Sequence, residues 1–174
     1  MKPPVIRLAP GHKRLVYAVF ALLWTSGALW LAFHYFFAVE GDFGPEPHPL
    51  EKWWLRLHGL AAMFALVASG SLAASHMRLA WTQKKNRATG LPMLAHITWL
   101  AATGYALYYF STDANATWLP LLHWVAGLAL PFALAVHLVA GRRRARRRAA
   151  PAHQPAARAH AATPSVNASL KARP

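Results

Sequence analysis

Four apolar runs dominate this sequence, at about 14–38, 53–77, 91–111 and 118–140. Each holds roughly 20 residues or more, which at about 1.5 Å rise per residue crosses a hydrocarbon core about 30 Å thick. The runs lack the polar stripe that a helix in a water-soluble bundle carries. They predict an all-α, four-helix transmembrane bundle. The first run is too long and too rich in Trp and Phe for a cleaved signal, and no small-x-small site follows it.

Charge orients this arrangement. The formal net charge is +14, but its placement argues against a nucleic-acid partner. All five acidic residues, Glu40, Asp42, Glu46, Glu51 and Asp113, follow the first or third run. Of nineteen basic residues, only Lys52 and Arg56 share that side. The other seventeen precede the first run, join the second to the third, or follow the fourth. Basic residues in short flanking loops mark the cytoplasmic face, so both termini are expected there. The basic flanks would also meet anionic membrane lipid.

Three segments follow from composition. Residues 1–13 form a basic, proline-containing lead, 14–141 the membrane domain, and 142–174 a basic tail whose Ala/Pro/Arg/His composition predicts disorder. The Gly/Pro-rich stretch 39–50 is expected to be non-helical. Trp53 and Trp54 then open the second run as an interfacial aromatic belt. The chain has no cysteine. That excludes disulfides, thiolate-held clusters, thiolate zinc sites and covalent attachment of a haem to the chain.

Ten histidines are many for 174 residues. Six lie in or at the ends of the runs, and ionisable residues at membrane depth are costly and point to function. They sort into two layers: His34, His58 and His123 toward the outer face, His76, His96 and His137 toward the inner face, with none expected in mid-span. His123 and His137 are fourteen residues apart, about 21 Å along a helix, and return to within about 40° of one direction. His58 and His76 are eighteen apart, about 27 Å and five whole turns of an uninterrupted α-helix. Helix tilt and a shifted inner group must absorb the difference of about 6 Å. Ala62, Ala65, Ser69 and Leu72, with Gly59 and Gly70 nearby, leave room on the second run for a neighbouring backbone or a flat ligand. Gly127, Leu130 and Leu134 form the matching stripe on the fourth, where Pro131 is expected to kink the helix.

Paired histidines at two depths on two helices are what a protein needs to clamp two haems, one above the other. Two other classes compete: a proton or metal transporter that uses titrating histidines, and a structural subunit of a membrane complex in which they are incidental. His153 and His160, in the tail, are given no role.

Over 14–141 the chain resembles the four-helix, di-haem cytochromes b of bacterial membranes, such as the cytochrome b subunits of hydrogenase and formate dehydrogenase. The resemblance rests on the four-span layout, on LHG at His58, SHMRLAW at His76, LLHWVAGLALP at His123 and AVHLVAGRR at His137. It implies a multi-pass protein of the bacterial inner membrane carrying two haems b. It implies His58 and His123 as ligands of the outer iron, and His76 and His137 of the inner one. His34 and His96 are alternative ligands, His96 standing in for the shallow His76. It further implies electron transfer between a redox partner protein at one face and a quinone or other carrier, the chain being an electron-transfer subunit rather than a stand-alone enzyme. Arg56 is expected at the outer haem propionates and Arg78 at the inner ones, with Arg142 beside it.

Overall fold

The computed structural model describes residues 9–84 and 87–149. Helix α1 spans Pro10–Phe36, with Pro10 at the start, where its missing N–H costs nothing. A short antiparallel hairpin follows, β1 (Val39–Gly41) against β2 (Gly44–Glu46). Gly44 closes its turn at φ 119°, a conformation that favours glycine. The Gly/Pro-rich loop is thus non-helical, as expected.

Helix α2 (Glu51–Leu72) starts with an acidic residue in its first turn, which suits the positive end of the helix dipole. His48 Nδ1 accepts the Leu50 N–H at 3.0 Å just before it. A single π-turn, Ala73–Met77, then joins α2 to α3 (Arg78–Thr82), so the chain stays helical from Glu51 to Thr82. Helix α4 spans Arg87–Tyr109 and α5 spans Trp118–Ala149. Pro131 lies inside α5 without ending it.

Three helices are long and apolar enough to cross a membrane: Pro10–Phe36, Glu51–Thr82 and Trp118–Arg147. Helix α4, the third expected span, does not reach that apolarity. Its threonines, tyrosines, Pro92 and His96 dilute the aliphatic residues. Large side chains on the long helices point outward: Met63 is 66% exposed, Val67 73% and Phe132 75%. Water would not tolerate so much contiguous apolar surface, whereas lipid matches it.

The interior is built from small side chains. Ala61, Ala65 and Ala68 are buried on α2 at i, i+4, i+7 spacing, and α1 and α2 run together with backbones within 8 Å. Small residues at such spacing permit that approach. Among the described residues no other pair of the long helices comes as close over its length. Gly59 and Gly70, expected to leave room for a neighbouring backbone or a ligand, face open space.

Residues up to Gly141 form one compact unit, and Arg142 begins a second. In that second unit Arg142–Ala149 is helical, as the end of α5, within a stretch whose composition predicts disorder. The rest of the tail, 150–174, lies outside the described residues, as does the lead before residue 9.

Candidate functional site

Helix α2 carries His58 and α5 carries His123, and the two rings face each other with centroids 6.2 Å apart and planes at 86°. Behind each ring stands another helix. His58 lies against α1, where its Nδ1 is 3.0 Å from the Leu23 carbonyl and 3.4 Å from Ser26 Oγ. The Ser26 hydroxyl itself donates to the same carbonyl at 3.0 Å. A carbonyl only accepts, so His58 carries a proton on Nδ1, and in the neutral ring Nε2 is then the bare nitrogen.

The same arrangement recurs behind His123. Thr103 Oγ1 on α4 lies 2.9 Å from His123 Nδ1. That hydroxyl spends its one proton on the Trp99 carbonyl at 2.8 Å. It therefore accepts from the ring, which fixes the proton on Nδ1 and leaves Nε2 bare. Ser26 and Thr103 are the two buried polar residues among those described, 1% and 6% exposed.

Both rings rest on glycine. A Cβ on Gly27 would sit 2.8 Å from His58 Cε1 and 2.9 Å from its Nδ1, inside van der Waals contact. A Cβ on Gly104 would sit 3.2 Å from His123 Cε1. Ser26-Gly27 on α1 and Thr103-Gly104 on α4 thus make two equivalent cradles, each a hydroxyl that orients a ring and a missing side chain that admits it. These four residues were missed in the sequence, although a hydroxyl-glycine dipeptide in mid-run of the first and third runs is a visible signal.

Two imidazoles that share one metal, each bonded at about 2.0 Å, have ring centres roughly 6 Å apart. The observed 6.2 Å meets that. Edge-to-face rings in plain packing cover the same range. The proton placement is compatible with a shared metal. A metal-bound histidine donates its other N–H to an oxygen behind it, which orients the ring and raises its basicity. Both rings do so here, while neither Nε2 has a protein hydrogen-bond partner among the described residues.

The second pair is built differently. His76 lies in the π-turn and is an electrostatic neighbour of His137. His137 Nδ1 is buried and has no hydrogen-bond partner. Its Cε1 lies 3.9 Å from where a Cβ on Gly90 would stand, an ordinary contact and a looser cradle than at Gly27 or Gly104. The π-turn also bears on the spacing argument, because it holds an extra residue per turn and shifts the facing of everything beyond it. Eighteen residues between His58 and His76 are not five α-helical turns.

The remaining candidates have partners of their own. His34 Nδ1 is 2.8 Å from Glu51 Oε1, and its ring stacks on Trp30 at 4.9 Å. His96 Nε2 donates to the Ala126 carbonyl at 3.0 Å. His96 is six residues from Gly90 and seven from Thr103, so it lies about midway between the two histidine levels. The expectation of an inner-layer position for His96, and of no histidine in mid-span, gives way to that. The Arg56 guanidinium lies over the Trp53 ring at 4.9 Å, and Arg78 is exposed at the start of α3. Among the described residues no group of three or more His, Cys, Asp or Glu is placed to hold a bare metal ion. No protein-family model, curated protein or solved structure matches the chain.

Proposed function

We propose that the chain is a membrane-embedded b-type cytochrome that passes electrons across the bacterial inner membrane through two bis-histidine haems. The single observation that carries this reading is the back-to-back proton placement at His58 and His123. Each ring is turned by an oxygen on a neighbouring helix so that a bare Nε2 remains, over a glycine that a Cβ would close.

In this reading His58 and His123 hold the outer haem, and His76 and His137 the inner one. The buried Nδ1 of His137 has no partner, so this ring lacks the N–H tie that His58 and His123 make. Among the described residues the long helices other than α1 and α2 approach one another less closely, and a flat ligand would lie between them. Bound haem supplies one-electron chemistry at each site. Leu23, Ser26 and Thr103 fix ring orientation and ligand basicity, and the apolar walls exclude water. All four long helices span the membrane in one bundle with both termini cytoplasmic, following the asymmetry of basic residues. Arg56 and Arg78 lie at opposite ends of the second span, placed to pair with propionates. A redox partner protein and a quinone or other carrier complete the path.

Two sites at two depths split a crossing of about 30 Å into shorter hops. An electron crossing the full membrane exchanges about 2.3 kcal/mol with each 100 mV of potential. The test is the reduced-minus-oxidised spectrum of the purified chain and its variants. His58→Ala and His123→Ala should each remove the outer haem and leave about half of the total. Full haem in both variants would refute the assignment.

A further inference from the structure

The two histidine pairs are held with different firmness. At the His58–His123 level both rings are tied through Nδ1 to oxygens at 3.0 and 2.9 Å, and both sit on glycines that leave no slack. At the other level neither ring has such a tie. His137 Nδ1 is without a partner, and His76 makes no hydrogen bond among the described residues.

The backbone under His76 carries no buried residue, as is also true of residues 51–60 of the same span, and Ser71 just before the turn pairs with His12 Nε2 on α1 at 3.3 Å. Ala61, Ala65 and Ala68 are buried on α2, but no residue of the π-turn Ala73–Met77 or of α3 is buried. Ala73, Ala74 and Ser75 are all exposed. The Ser75 hydroxyl bonds back to the Ser71 carbonyl at 2.7 Å, and Ser71 in turn to Ala68 at 2.7 Å. Such back-bonding competes with the backbone ladder and bends helices. π-turns are rare single turns that recur at functional sites, and segments with few buried contacts open most readily.

We propose that His76 is a displaceable ligand, so that the inner centre opens one coordination position to a small neutral diatomic molecule while the outer centre stays closed. The proposal rests on the bis-histidine haem reading above. The exchange would be a substitution without electron transfer, in which His76 would leave as a neutral imidazole and the incoming molecule would take the position it held. The loose turn lets the ring swing away, and His137 remains as the one protein ligand. At the outer level the same exchange would have to break a buried hydrogen bond and push a ring through a neighbouring backbone.

The experiment is a carbon monoxide titration of the purified, dithionite-reduced full chain, with haem counted beforehand. About half of the absorbance change expected for two haems should appear, in one saturating phase. In His76→Ala the same half should respond with an apparent affinity roughly ten-fold higher or more, because no internal ligand competes for the open state. Two bound haems with no response to carbon monoxide would overturn the proposal. So would a response from both haems, or an unchanged affinity in His76→Ala. If that variant loses the inner haem, the wild-type titration decides alone: a half response sustains the proposal, none or a full one sinks it. A chain that purifies without haem instead refutes the underlying reading, so the two failures are distinct.

Discussion

At the scale of single residues, the account turns on which nitrogen of each ring holds the proton. Thr103→Val keeps the shape but removes the oxygen that accepts from His123 Nδ1 at 2.9 Å. A buried donor left unpaired costs about 1–3 kcal/mol, and loss of such an orienting bond weakens metal holding about 10–100-fold. We therefore expect Thr103→Val to lose outer haem at lower concentrations of a haem-scavenging apoprotein than wild type, with its helical circular dichroism unchanged. Gly27→Leu should be more severe, since even its Cβ would stand 2.8 Å from the His58 ring. Pyridine hemochromogen should then report one haem per chain rather than two. The facing of His58 and His123 was legible, because both were placed in one layer on two of the runs. Their supports were not. Ser26, Gly27, Thr103 and Gly104 acquire meaning only when one knows that α1 backs α2 and that α4 backs α5, and a linear sequence does not state which helices are neighbours.

At the scale of elements, the long helices were readable from apolar length, with boundaries within a few residues for α1 and α4, whereas α5 runs nine residues past its expected end at 140. The turn at Ala73–Met77 was not readable, because no proline or glycine marks it. Its one trace was the mismatch between an eighteen-residue and a fourteen-residue histidine spacing. The close approach of α1 to α2 and the burial of Ala61, Ala65 and Ala68 yield a further expectation. Ala65, 5% exposed, has no room for a larger side chain. Ala65→Leu should lower stability by about 1–3 kcal/mol through overpacking. Thermal unfolding in detergent checks this: the midpoint should fall, and an unchanged midpoint would mean that the two helices are not locked there. The fourth helix posed the reverse problem. Its run looked long enough to span, yet its polar and aromatic residues hold it below the apolarity of the other three.

At the scale of the whole molecule, seventeen basic residues on one side and five acids on the other predict one orientation in the membrane. The chain has no cysteine, so single cysteines report topology without background. Phe43 at the hairpin turn is fully exposed. In intact cells a membrane-impermeant thiol reagent should label Phe43→Cys, and should label Gln83→Cys only after the membrane is breached. The opposite pattern would invert the topology. The central claim is that this scaffold holds an iron porphyrin at each of two depths, and the most direct measurement is the molar ratio of haem to chain in the purified wild-type protein. Two haems b per chain are expected, reducible and spectrally resolved from each other. A colourless protein, purified from cells supplied with haem, would contradict it.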